Sequence, residues 1–241
     1  MQPLITVITP TTGAKTLVQA IESVKNQTYK NIQHLIVVDG SHPSAQPMLS
    51  EYPDIDKIWL PYSTGKDRFN GHRIYGASIY LMKGEYVCFL DEDNWYDENH
   101  IESLVNACDN GPWAFSLRKI MSKEGEYICN DDCESLGNWS SILNDQDYFV
   151  DVGCYFLHRD VALQTSSLWY RKAREPGVPE VDRILSLVLR QNKLTCDTNG
   201  LYTLNYRTGN TERSVKKEFF LHHNELMKQK YNGTLPWQKT L

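Results

Sequence analysis

The stretch Lys83-Gly84-Glu85-Tyr86-Val87-Cys88-Phe89-Leu90-Asp91-Glu92-Asp93-Asn94 decides how this 241-residue chain is read. Five apolar residues, 86–90, follow a Lys-Gly turn and break off in three carboxylates. A short apolar run bounded this way is the pattern of a strand buried on both faces of a sheet. In open α/β sheets ligands bind outside the carboxyl ends of such strands, so the triplet Asp91-Glu92-Asp93 is expected at a ligand site.

The same design recurs on the N-terminal side. A second strand, 34–38, runs straight into Asp39-Gly40-Ser41. A first strand, 4–9, leads into the turn residues Pro10-Thr11-Thr12-Gly13, after which Leu17, Ile21 and Val24 have helical spacing and end in Lys25-Asn26-Gln27. A third strand at 57–60 and a helix at 73–82 complete an alternation that specifies a parallel sheet with crossover helices. Beyond Trp113 the alternation decays into strand-like stretches at 114–120 and 148–157, helices at 181–190 and 215–230, and an irregular tail. The expectation is an α/β fold: a Rossmann-like, mostly parallel sheet with helices on both faces and a smaller mixed region. One domain spans 1–241, with its ligand-binding half at about 1–110 and the remainder at about 111–241.

Composition narrows the function classes. With 41% hydrophobic and 23% charged residues the chain is globular, and a net charge of −5 gives no positive field to draw it to nucleic acid. No apolar stretch approaches the roughly 18 residues of a spanning helix, so membrane contact, if any, is peripheral. The N-terminus carries no basic region ahead of an apolar core, and six cysteines are spread through the chain. Both features suggest reduced thiols and a cytoplasmic location. Cys129 and Cys133 form the one close pair, with no second pair or spaced histidine to complete a zinc site.

Two carboxylates separated by one residue at a strand end can hold a hard cation, and oxygen ligands suit Mn²⁺ or Mg²⁺. The bland alternative is a solvated acidic turn. Such an ion would bridge a diphosphate and offset the charge that grows on it as it leaves.

Taken together, Val7-Ile8-Thr9-Pro10-Thr11, Ala20-Ile21-Glu22-Ser23-Val24-Lys25-Asn26-Gln27-Thr28-Tyr29, Ile36-Val37-Val38-Asp39-Gly40-Ser41, Arg73 and the 83–93 stretch resemble the family 2 glycosyltransferases of GT-A fold, in order and spacing, over residues 4 to 110. The resemblance implies a metal-dependent, inverting transfer of a sugar from a nucleotide-sugar donor to an acceptor hydroxyl of a saccharide or other molecule. It implies that Thr9, Pro10 and Thr11 line the nucleobase pocket and that Asp39 accepts from the base. Uracil and thymine present such a ring N–H, so a uridine or thymidine nucleotide is expected, with a UDP-sugar favoured. It further implies that Arg73 faces the diphosphate, that Asp93 is the direct metal ligand, and that Asp91 and Glu92 complete the donor site, with Asp91 on the ion or the ribose. Lys66, Asp67, Arg68 and His72 crowd the same approach as Arg73.

The family's acidic motif in the second half matches Pro179-Glu180-Val181-Asp182 here, with Val181 inserted, so Asp182 is assigned as the base and Glu180 stands second. An acidic residue in a helix's first turn is also favoured by the helix dipole alone. Gly153 is expected to admit the donor sugar or to mark a bulge, Trp139, Trp169 and Tyr170 to stack on sugars or fill core, and His222 or His223 to offer a third metal ligand. The loop Thr11-Thr12-Gly13-Ala14-Lys15 is too poor in glycine for a nucleotidyltransferase. A non-catalytic nucleotide- or carbohydrate-binding relative and a retaining transferase remain as alternatives.

Overall fold

The structure, a computed structural model, describes residues 2–66, 69–143, 148–171, 181–210 and 214–238. In chain order the strands are β1 (Ile5–Thr11), β2 (Ile32–Val38), β3 (Asp56–Trp59), β4 (Tyr86–Phe89), β5 (Trp95–Tyr96), β6 (Trp113–Met121), β7 (Tyr127–Asn130), β8 (Tyr155–His158) and β9 (Cys196–Arg207). The helices are α1 (Leu17–Lys25), α2 (Ala45–Ser50), α3 (His72–Ser78), α4 (His100–Cys108), α5 (Arg159–Thr165), α6 (Val181–Gln191) and α7 (Lys217–Lys230).

The strands join one sheet in the order β3-β2-β1-β4-β8-β6-β9-β5, with β7 beside β6. The first four are mutually parallel: Ile5 pairs with Ile32 on one side and with Tyr86 on the other. Beyond β4 the sheet turns mixed, because β8 runs antiparallel to both β4 and β6 while β9 runs parallel to β6. The expected division into a parallel half and a mixed half is therefore present.

Helices cover both faces of the parallel half. Ile36 and Val38 of β2 pack under Leu17 and Ile21 of α1 and Ala45 and Leu49 of α2. The alternating residues Leu35 and Val37 enter the main core on the other face with Ile74 and Tyr75 of α3. A period of two along each strand explains why β1, β2 and β4 read as unbroken apolar runs.

Several elements depart from expectation, and three of the departures have a visible cause. The helix at 73–82 stops at Ser78 and tightens into a single 3₁₀ turn, Ile79–Leu81. The chain is turned there because the amides of Lys83 and Gly84 are bound by Gln33 Oε1 at 2.8 Å and Thr6 Oγ1 at 2.9 Å. In the stretch 148–157, β8 begins only at Tyr155, since Asp151 accepts from the Gly153 amide at 3.0 Å and winds Val152–Cys154 into a turn. The twelve-residue β9 was not anticipated, being polar and broken by Gly200 at φ +64°.

Candidate active site

Because β1, β2 and β4 are parallel and in register, their carboxyl ends open on one edge. There Pro10, Thr11, Asp39, Asp91, Glu92 and Asp93 line a single cleft of about 470 Å³. Asn70, Gly71 and Ile74 close it on the α3 side, and Asn210 and Ser214 close it from beyond β9. A Cβ on Gly71 would lie 2.7 Å from Pro10 Cγ, so glycine lets the start of α3 press onto the end of β1. Thr9 is fully buried beneath the cleft, sharing a hydrogen bond of 2.9 Å with His34 Nε2. Arg73 donates from Nη1 to the Thr64 carbonyl at 2.8 Å and stacks on Phe69 at 3.7 Å. Asp67, Arg68 and Glu180 lie outside the described residues.

Asp91 accepts a hydrogen bond from the Tyr75 hydroxyl at 2.6 Å, and Asp93 accepts one from Asn210 Nδ2 at 2.7 Å. Burial, then repulsion from Asp93, pushes the Asp91 carboxyl up to about 7 against the pull of the Tyr75 hydroxyl. Burial also raises Asp93, against the pull of Asn210. Arg207 braces this corner: its amide donates to Asn94 Oδ1 and its Nε to the Asp93 carbonyl, each at 2.9 Å. Two desolvated carboxylates, one of them raised further by the charge of the other, suit a divalent cation, which would relieve that repulsion.

His223 is bound within α7 to the Phe219 carbonyl at 2.7 Å. Among the described residues no three His, Cys, Asp or Glu side chains come together to hold a metal, so neither His222 nor His223 is brought to the triplet.

Asp39 and Glu92 have their oxygens engaged with the protein. Asp39 Oδ1 accepts from the Thr64 amide at 2.6 Å and the Thr64 hydroxyl at 2.8 Å, while Oδ2 accepts from Ser63 Oγ and the Gly65 amide, both at 3.0 Å. A carboxylate offers about four lone-pair sites, so a base N–H could reach this one only by displacing a loop donor. Glu92 accepts four bonds from residues 11–14.

On the second half's side, Asp182 stands in the first turn of α6, its backbone carbonyl accepting from the Tyr155 hydroxyl at 3.1 Å. Burial and then the Asp151 charge push the Asp182 carboxyl up to about 7, and Asp151 also acts on Asp91. Asp151 is held by Arg118, a 2%-exposed guanidinium that also binds Asp131 at 2.7 Å and Glu134 at 2.6 Å. Glu134 in turn binds Arg183 at 2.6 Å, next to Asp182. Sequence reasoning missed Arg118, Glu134, Tyr75 and Asn210, since no local spacing links them to the triplet.

Gly153 admits Leu204 and not a ligand: its Cβ would lie 2.8 Å from Leu204 Cδ2. Trp169 is fully buried against Tyr75 and Phe89, and Trp139 packs on Trp237, whereas Tyr170 is 45% exposed. A smaller cavity of about 270 Å³ lies at the amino end of β2, lined by Tyr29, His34 and Tyr52, away from the strand-end carboxylates. No helix among the described residues is long and apolar enough to cross a membrane.

A sequence profile described as "Glycosyl transferase family 2" matches residues 6–148. The chain is 36% identical over 105 residues to an uncharacterised glycosyltransferase of Rickettsia typhi, covering 43% of this chain and 31% of that protein. It is 30% identical over 158 residues to the glucosyl-dolichyl phosphate glucuronosyltransferase of Haloferax volcanii, covering 57% of this chain and 50% of that one. The chain thus spans half or less of these relatives. In three dimensions it resembles TarS 1-349 of S. aureus, solved with UDP-GlcNAc, at a TM-score of 0.66 and 13% identity, covering 94% of this chain and 66% of TarS 1-349. That likeness identifies the fold as GT-A.

Proposed function

This chain belongs to glycosyltransferase family 2, and from that premise we propose that it moves a sugar from a nucleotide-diphosphate sugar, a UDP-sugar by preference, to an acceptor hydroxyl with inversion. The observation that carries the reading is the meeting of Pro10, Thr11 and Asp39 with Asp91 and Asp93 around one cleft at the ends of parallel strands. This sets a wall of nucleoside size beside a paired-carboxylate site that suits a diphosphate through a cation. The UDP and UDP-GlcNAc complexes of TarS favour uridine. The Haloferax relative's name supports a glycosylated acceptor.

Asp93 and Asp91 are the residues that would hold Mn²⁺ or Mg²⁺, and when bound such an ion offsets charge on the departing diphosphate. Arg73, with one nitrogen bound to Thr64, keeps further donors for phosphate oxygens. Asp182 is the proposed base. It takes the proton of the acceptor hydroxyl as that oxygen bonds to the anomeric carbon, while the bond from that carbon to the diphosphate oxygen breaks and its electron pair leaves with the nucleotide. A carboxyl held near 7 suits this task, because its proton affinity lies close to working pH. Glu180 remains the second candidate.

The test is nucleotide release from UDP-, GDP- and dTDP-sugars with glycoside acceptors and Mn²⁺, with the product anomer read by NMR. UDP release with an inverted anomer supports the proposal. Retained configuration overturns the stereochemistry and the base, and binding without turnover identifies a non-catalytic relative.

A further inference from the structure

Beyond β4 the Asn94 amide donates to the Asp91 carbonyl at 3.1 Å, closing a turn over residues 91–94 from which the three acidic side chains leave in different directions. In this chain the difference is complete. Asp91 and Asp93 look to Tyr75 and Asn210, whereas Glu92 crosses to the turn between β1 and α1. Its Oε1 accepts from the Thr12 amide at 3.0 Å and the Thr12 hydroxyl at 2.7 Å. Its Oε2 accepts from the Thr11 hydroxyl at 2.5 Å and the Ala14 amide at 3.0 Å.

The turn is one that needs such an anchor. Thr11 Oγ1 accepts from the Gly13 amide at 2.9 Å, and Gly13 sits at φ +81°, where a side chain would be strained. Its carbonyl accepts from Ser44 Oγ at 3.1 Å. Two amides and two hydroxyls therefore converge on one carboxylate, a concavity of the kind that binds anions, here filled by the chain itself. All four lone-pair sites of Glu92 are used, leaving none for a cation.

We infer that Glu92 is a positioning residue: it fastens the nucleoside-side loop 11–14 to the strand end that carries Asp91 and Asp93, and so sets donor affinity without ligating the metal. The inference rests on the nucleotide-sugar reading of the cleft. Glutamine in its place would turn an NH₂ toward donors and leave at least one of them unpaired.

The experiment compares the wild-type chain, Glu92→Gln and Thr12→Val in three readouts. These are UDP affinity with saturating Mn²⁺, the KM against kcat split for the UDP-sugar, and the Mn²⁺ concentration giving half-maximal turnover. Amide hydrogen exchange at residues 12–14 is followed alongside. Glu92→Gln should weaken UDP binding and raise KM about tenfold or more, hold kcat within about threefold, and leave the Mn²⁺ midpoint unchanged. Exchange at residues 12 and 14 should quicken. Thr12→Val, which removes one hydroxyl donor and keeps the fold, should show the same pattern at about threefold.

Unchanged UDP affinity in a folded Glu92→Gln, or a shifted Mn²⁺ midpoint with donor affinity intact, would overturn the inference. A wild-type chain that binds no nucleotide-sugar would instead overturn the functional reading and its donor-affinity consequence. The exchange arm reports the anchor separately.

Discussion

Asn210 donates from Nδ2 to Asp93 Oδ2 across 2.7 Å, tying the chain beyond β9 to the carboxylate at the end of β4. The two residues are 117 positions apart, and their contact is one of the places where the mixed half completes the cleft. Removing it with Asn210→Ala frees Asp93 to rotate. About a tenfold fall in kcat/KM for the donor is expected, the size of one hydrogen bond to a charged group. Steady-state kinetics checks it, with a melting temperature within about 2 °C of wild type as the control.

The Asp182 carboxyl, pushed up to about 7 by burial and by Asp151, predicts a pH signature. As a base it must be ionised, so at saturating Mn²⁺, which would keep Asp91 ionised, kcat/KM should climb tenfold per pH unit below about 7 and level off above it. Stability runs the other way. A carboxyl whose folded pKa exceeds its unfolded value of about 3.9 binds more protons folded, so stability falls as pH rises from about 4 to 7 and is flat beyond. Asp182→Asn should therefore lose turnover and also unfold later than wild type at pH 8, by on the order of 3 kcal/mol. The gain should vanish near pH 4. Urea titrations at the two pH values measure it.

Arg118 is the fully enclosed partner of Asp131, Glu134 and Asp151, with Tyr206 against its guanidinium at 4.5 Å. Arg118→Met removes the cation that Asp131 and Asp151 share, while Glu134 keeps Arg183. Taking one partner from a buried ion network costs about 3–5 kcal/mol. A large drop in the urea midpoint is expected, and Asp151→Asn introduced into the same variant should recover part of it by removing one of the uncompensated charges.

Asp39 closes the loop 63–65 with four accepted bonds. Asp39→Ala should release the amides of Thr64 and Gly65 and raise the donor KM at least about tenfold, since several charge-assisted bonds are lost together. Hydrogen exchange at 64 and 65 together with donor kinetics decides it. Protected amides in the variant would show that the loop is held from elsewhere.

The parallel half was legible because both faces of β1, β2 and β4 are buried. Every residue of Ile5–Thr11 and Tyr86–Phe89 is enclosed, which forces apolar runs ending at turn residues. The cleft was legible for the same reason: its polar residues stand where those runs stop. What composition could not convey was which way each carboxylate turns. Glu92 and Asp39 were expected to face the donor, yet their oxygens serve loops brought near only by the folded sheet. Arg118 meets partners 13, 16 and 33 positions away, so no local period could reveal it. In β9, Asn199 Oδ1 accepts from the Leu201 amide at 2.9 Å, and this local turn interrupts the alternation by which strands are recognised.

The central claim, that Asp91 and Asp93 bind a nucleotide diphosphate through a divalent cation, is tested most directly by calorimetric titration of UDP into the wild-type chain and Asp93→Ala, each with Mn²⁺ and with EDTA. Tight binding to wild type only in the presence of Mn²⁺, lost in Asp93→Ala, is the predicted result. Equal UDP affinity with Mn²⁺ and with EDTA, or unaltered Mn²⁺-dependent binding in Asp93→Ala, would contradict it.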